Sequence, residues 1–266
     1  HGGGDAKNVS IDLNWGKIVR EADEDMPEIR AVLRDRPVVA AFAFVVMKCF
    51  NLFCRAFMRL EVTGKENLET TSARNETDSA LRIPHSAFLI CPNHQSFLDP
   101  FVLCSTYRFS LFCNFFHVGA SEFFEGLTMR CVATMLNVVP VNPDTELMRA
   151  MKAGAIGLKH GRVLNIYPEG ERAFDGELHE FKKGAAILAT ELDLPIVPVA
   201  LDGLQNVWAR ASLRIRPAKV KIRIGEPFYA KDVLNGTGLT GDEAYATVTE
   251  HLKQTIAGMI AGLRDE

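Results

Sequence analysis

What the 266-residue chain lacks narrows its chemistry first. Its six cysteines (Cys49, Cys54, Cys91, Cys104, Cys113 and Cys131) include no Cys-x-x-Cys pair and no zinc-type Cys/His spacing, so zinc ribbons and dithiol redox motifs are set aside. Several lie in apolar runs, where a free thiol behaves as a small hydrophobe, which suits a reducing compartment. There is no basic excess: the net charge of −3 gives no electrostatic case for nucleic acid. No GxSxG elbow occurs, so His1-Gly2-Gly3-Gly4, which imitates an esterase oxyanion loop, has no nucleophile to serve. The polar, glycine-rich opening does not read as a secretory signal, and no internal repeat is found. The Asn-x-Ser/Thr triplets at Asn8, Asn75 and Asn235 are read as chance occurrences. A hydrophobic fraction of 47% with 24% charged residues excludes a disordered chain and suits one domain with a sizeable core.

One apolar stretch stands out. Residues 5–27 are polar and acidic, Pro27 opens a helix-like run to Arg36, and Pro37 stops it. Residues 38–60 then read VVAAFAFVVMKCFNLFCRAFMRL. The first ten of these carry no charge, a helical length of about 15 Å, or half a bilayer core. Lys48, Asn51, Arg55 and Arg59 recur at helical spacing as one polar stripe. The pattern predicts an interfacial helix with its basic stripe in the headgroup plane. A core helix with outward-reaching basic side chains, or a true span, are the alternatives. Two parts are therefore expected: a membrane-interface segment over 1–60 and an α/β domain over 61–266.

From residue 60 the pattern alternates. LEVTG predicts a strand and turn, and the polar residues 69–84 a mobile loop. Strands are expected over 87–91, 111–118, 137–141, 163–167 and 195–201, with helices between them: from about Pro100, over 121–136, from Asn142-Pro143 to Gly161, and from Gly184. KVKIRIG (219–225) alternates apolar with basic residues and reads as a half-exposed edge strand. Thr240 and Glu243 form a capping-box pattern ahead of a last helix to Leu263. The fold class is α/β, a largely parallel mixed sheet flanked by helices and preceded by the apolar helical segment. In such sheets ligand sites gather beyond the carboxyl ends of the strands.

Two segments lie at those ends. CPNHQSFLDP (91–100) carries His94 and Asp99, which would point about 140° apart on one continuous helix. They can meet only across a turn, with Asp99 at the start of the next helix ahead of Pro100. Asp99 could simply cap that helix. Alternatively its carboxylate holds one imidazole nitrogen of His94 and leaves the other as a general base. The second segment, YPEGERAFDGELHEFKKGA (167–185), places Gly170 between Glu169 and Arg172, and Lys182 and Lys183 before a helix N-terminus. Arginine and helix N-termini both favour phosphate. An ordinary charged turn has the same composition.

NHQSFLD (93–99) resembles the NHxxxxD motif of the glycerolipid acyltransferases, the 1-acylglycerol-3-phosphate acyltransferase superfamily. YPEGER (167–172) is similar to their FPEGTR motif, and PIVPVAL (195–201) to a downstream VPV-type strand. The order and separations match as well. The resemblance implies His94 as the base that deprotonates an acceptor hydroxyl, Asp99 as its orienting partner, and Asn93, Glu169, Gly170, Arg172 and Lys183 at the substrate, with Glu169 and Arg172 on the acceptor's phosphate. It implies a thioester donor, acyl-CoA or acyl-carrier-protein, a lysophospholipid-type acceptor, no metal and no cofactor. The expected setting is the cytoplasmic face of a membrane, with phospholipid surface as partner. Two departures are visible. Glu171 replaces the usual threonine, and Ala120 or Ser121 and Asn142 stand where the middle motif carries lysine and arginine. In these features the chain is similar to acyltransferase domains fused to acyl-carrier-protein synthetases. Competing readings are a hydrolase using Ser96 and a non-catalytic lipid-binding module.

Overall fold

The computed structural model describes residues 14–22, 26–74, 87–119, 126–141, 146–173, 175–208 and 216–265. Among the described residues seven strands, β1 (Glu61–Thr63), β2 (Leu89–Pro92), β3 (Phe115–Gly119), β4 (Val138–Pro140), β5 (Val163–Asn165), β6 (Ile196–Asp202) and β7 (Lys221–Ile224), form one sheet in the order β1-β7-β6-β2-β5-β3-β4. The pairs β6–β2, β2–β5, β5–β3 and β3–β4 are parallel, so these five strands share one carboxyl end. β7 runs antiparallel to β6, and β1 parallel to β7.

Alternate residues of the central strands enter two different cores, as the pleat requires. Leu89, Cys91, Phe116 and Leu164 face a layer built from α1 (Trp15–Arg20), α2 (Pro27–Leu33), α8 (Leu147–Lys159), α9 (Gly184–Leu192) and α12 (Gly241–Asp265). Phe88, Ile90, Phe115 and Val163 face the other layer, built from α3 (Pro37–Phe57), α5 (Asp99–Ser105) and α6 (Phe109–Asn114). The shorter helices α4 (Glu66–Arg74), α7 (Leu127–Met135), α10 (Leu204–Val207) and α11 (Ala230–Leu234) complete the fold. The segment before residue 60 is joined to both layers: Val19, Ile29 and Val32 enter the first core, and Ala43, Met47 and Cys54 the second.

Several local expectations are corrected. Residues 69–74 are helical within α4 rather than loop. The predicted strand over 111–118 is helix α6 as far as Asn114 and strand only from Phe115, because Phe112 is needed to pack under α3. Residues 15–20, read as part of a polar segment, form α1 with Asn14 accepting from Lys17 N–H at its N-cap. α8 begins at Leu147, later than the predicted Asn142-Pro143, which lies outside the described residues. β7 has the expected alternating burial but is not the edge; β1 covers it.

The polar stripe of α3 divides: Lys48 and Asn51 turn to the protein, whereas Arg55 and Arg59 are exposed. Lys48 Nζ donates to the carbonyls of Ser105 (3.0 Å) and Tyr107 (2.7 Å), and Asn51 donates to Ser105 Oγ (3.0 Å). These groups lie at the end of α5, where helix carbonyls lack intrahelical partners, so this part of the stripe faces the protein. The outward face is apolar instead: Val38 is 81% exposed, Phe42 67% and Leu52 71%, with Val45 and Phe53 beside them. Among the described residues α3 is the one helix long and apolar enough to cross a membrane.

The packing of α8 on the sheet depends on one glycine. A Cβ at Gly157 would lie 2.3 Å from Cζ of the fully buried Phe116 on β3. An exposed helical glycine gains about 1 kcal/mol on replacement by alanine, whereas overpacking a core costs about 1–3 kcal/mol. Gly157→Ala is therefore expected to destabilise, read as a lower urea midpoint at unchanged m-value. A higher midpoint would show that Phe116 has room to yield.

Candidate active site

The site is built from the loops that leave β2 and β5. Asn93 follows β2, and its side chain is wholly engaged with β6: the amide donates to Leu201 O (3.0 Å), and Oδ1 accepts from Leu201 N–H (2.7 Å). It fixes where the β2 strand releases the chain. His94 comes next. Its Nδ1 lies 2.8 Å from Asp99 Oδ2, and that same oxygen accepts the backbone N–H groups of Gln95 (2.6 Å) and Ser96 (2.9 Å). Asp99 is fully buried and begins α5, but its carboxylate reaches back to the preceding loop rather than capping its own helix. An oxygen already accepting two N–H groups acts as acceptor toward the ring, so on the neutral ring Nδ1 carries the hydrogen and Nε2 the lone pair. The His94 side chain is 18% exposed, which keeps it reachable.

The second loop closes on the first. Tyr167 O accepts Gly170 N–H (3.0 Å) across a turn with Pro168 at its second position, and Gly170 sits at φ 76°, which glycine tolerates without strain. Glu169 is buried within this turn. Its Oε1 accepts His94 N–H (2.6 Å) and its Oε2 accepts His179 N–H (3.1 Å). Burial raises its pKa, and those two backbone bonds oppose the rise. Glu169 thus holds the two loops together. Ala173 N–H donates to His94 O (2.8 Å), a second backbone tie between the two loops.

The expected lysine also changes. Lys183 pairs with Asp242 at 2.7 Å, directed to the first turn of α12 rather than to the site. Lys182 lies across Gly170 instead: a Cβ there would be 2.6–2.9 Å from Cε, Nζ and Cδ of Lys182. Gly170 is required for that crossing, and Arg172 and Lys182 are the cations of this loop. Ala120, Ser121 and Asn142 lie outside the described residues.

Two neighbours decide between competing chemistries. Ser96 is buried and its hydroxyl donates to Trp208 O (3.4 Å), an arrangement unlike an activated nucleophile. His117 is the nearby alternative base, but burial lowers its pKa to about 4, and its ring is held by Leu136 O (2.9 Å) and the Asn165 amide (3.2 Å). Among the described residues no group of three or more His, Cys, Asp or Glu side chains could hold a metal ion. One residue went unassigned in the sequence: Tyr167, whose ring stacks on His94 with centroids 4.2 Å apart. Its only signal there was an aromatic residue just beyond a strand end, shared by many core positions.

A model of the acyltransferase family matches residues 59–202. A 1-acyl-sn-glycerol-3-phosphate acyltransferase of Cocos nucifera is 35% identical over 91 residues, 34% of this chain and 30% of the relative. A chloroplastic enzyme of the same name from Brassica napus is 27% identical over 206 residues, covering 74% of this chain and 52% of the relative. One from Pseudomonas aeruginosa is 26% identical over 219 residues, 73% and 71% of the two chains. The chain spans little more than half, at most, of the length of the first two. The crystal structure of the 1-acyl-sn-glycerophosphate acyltransferase PlsC from Thermotoga maritima superposes with a TM-score of 0.63 at 20% identity, over 89% of this chain and 87% of that one, a likeness of fold. With the match running from Arg59 to Asp202, through both loops of the site and more than half of the sequence, the chain belongs to the acyltransferase family.

Proposed function

We propose that the chain transfers a fatty acyl group from a thioester donor to the free hydroxyl of 1-acylglycerol 3-phosphate or a related lysophospholipid, with His94 as general base. The observation that carries this reading is the His94–Asp99 pair, 2.8 Å apart, with Asp99 Oδ2 anchored by two further backbone N–H groups. Nε2 removes the acceptor's hydroxyl proton as that oxygen attacks the thioester carbonyl. The C–O bond forms, the C–S bond breaks, and the imidazolium returns the proton to the departing thiolate. Asp99 stabilises the imidazolium between these steps. Acyl-CoA and acyl-carrier-protein present the same thioester and are both donors for test. Arg172, with Lys182 over Gly170, supplies the positive charge for the acceptor's phosphate. The names of the relatives support the acceptor class.

The exposed apolar face of α3 is the membrane contact in this reading. A soluble monomer rarely leaves so many large apolar side chains on one face, and the acceptor is a lipid.

His94→Ala is expected to lower transfer by about 10²–10⁴-fold, the usual contribution of a positioned base. The measurement is labelled acyl incorporation into a panel of lysophospholipids read by mass spectrometry, and near wild-type transfer would overturn the assignment. Arg172→Ala should raise the acceptor's KM by about tenfold or more with a smaller change in kcat, as for a contact made equally in ground and transition states. An unchanged acceptor KM removes Arg172 from the phosphate. Replacing Phe42, Val45, Leu52 and Phe53 together by serine should reduce co-sedimentation with phospholipid vesicles by about tenfold or more while the fold persists. Undiminished binding would move the membrane contact elsewhere.

A further inference from the structure

We propose that Tyr167 is a positioning residue for acyl transfer, holding the His94 imidazole in register by stacking its ring against it. The inference rests on His94 acting as the base, as proposed above. The two ring centroids are 4.2 Å apart with an interplanar angle of 29°, a close stacked contact of the two faces. Asp99 secures one atom of the imidazole, Nδ1. A single hydrogen bond leaves the ring able to tilt, because the χ2 torsion of histidine is broad. Displacement of a reacting atom by about 1 Å can lower a rate about 10²-fold. A flat partner against the ring face removes the tilt that the Asp99 bond permits.

Tyr167 is itself held by its surroundings. It leaves β5 just past Asn165, and its ring runs nearly parallel to that of His117, 10° and 6.5 Å apart. His117 cannot turn freely: Nδ1 meets Leu136 O, and the Asn165 amide meets Nε2. Asn165 Oδ1 in turn accepts the Tyr107 hydroxyl at 2.9 Å. The polar end of Tyr167 contributes no bond to this framework. Its hydroxyl is buried without a hydrogen-bond partner, and so is Asp99 Oδ1. Burial, with the Asp99 charge adding to it, keeps the phenol protonated. The face of the ring, rather than the hydroxyl, is therefore what acts on His94.

This separates two substitutions. Tyr167→Phe keeps the ring and should retain kcat within about threefold, whereas Tyr167→Leu removes it and should lower kcat by about 10–100-fold, with the acceptor's KM changed by less than about threefold. Wild-type kcat in Tyr167→Leu overturns the proposal, as does a loss confined to KM. Tyr167→Phe falling as far as Tyr167→Leu also overturns it, transferring the role to the hydroxyl. A second measurement stands if Tyr167→Leu does not fold. The ring protons of His94, assigned by their loss in His94→Ala, should be displaced upfield by the ring current in wild type and equally in Tyr167→Phe. Resonances at undisplaced positions overturn the stack. The two proposals fail separately: active His94→Ala enzyme removes the base, while inactive His94→Ala with unimpaired Tyr167→Leu removes only the positioning role.

Discussion

The buried carboxylate of Glu169 is the interaction on which the site's geometry turns. A carboxylate withdrawn from water needs donors, and this one takes backbone N–H groups from two places distant in sequence, His94 and His179. The need is mutual, since a buried N–H without an acceptor carries a penalty of its own. Glu169 therefore determines where the chain leaving β2 lies relative to the chain leaving β5. Once His94 N–H is held, its carbonyl is positioned for Ala173 N–H, which ties the two loops a second time. The imidazole then has Asp99 at Nδ1 and Tyr167 on its face. A residue that resembles a phosphate contact in one dimension is an internal strut in three.

The separation of the two motifs in the sequence is a register of the sheet. β2 pairs with β5 so that Leu89 lies opposite Leu164 and Ile90 opposite Asn165. The same offset, 75 positions, puts His94 level with Glu169 at the ends of these strands. A change of loop length between the strands could be absorbed by α6, α7 or α8, but a one-residue slip of either strand would turn its side chains to the opposite face. This is why the alternation of strands and helices, with two polar turns at strand ends, was enough to read the site's location from the chain. The pair His94–Asp99 was legible for the same reason, because Pro100 fixed where the turn ended.

What could not be read was the partner of each polar side chain. Lys182 and Lys183 are adjacent and alike in sequence, yet one lies over Gly170 and the other pairs with Asp242 on α12. Only the start of α12, distant along the chain, separates them. Asn93 looked available for substrate because its two partners belong to Leu201. The polar stripe of α3 was misassigned by the same gap. Periodicity establishes that Lys48 and Asn51 share a face, but not whether water, headgroups or protein carbonyls meet it. The segments misread as loop or strand, α4 and the α6 part of 111–118, are short helices whose formation depends on packing more than on propensity.

Lys48 and Asn51, the inward part of the α3 stripe, join the apolar face to the candidate site. Lys48 and Asn51 clasp the carboxyl end of α5, and Phe50 meets Phe101 edge-on near its other end, 6.5 Å between centroids. α5 begins with Asp99, so the helix carrying the orienting carboxylate is clamped between the sheet and α3 along its length. Had the basic stripe faced headgroups, α5 would lack donors for its last carbonyls and a packing partner at Phe101. The apolar residues of α3 would then have to enter the core in place of water-compatible ones. With Lys48 and Asn51 inward, one helix meets both demands: these side chains fix the element that carries Asp99, and its apolar face stays exposed. Any partner on that face would bear on the same helix that clasps α5, so the exposure of the apolar face and the placement of Asp99 follow from one packing arrangement.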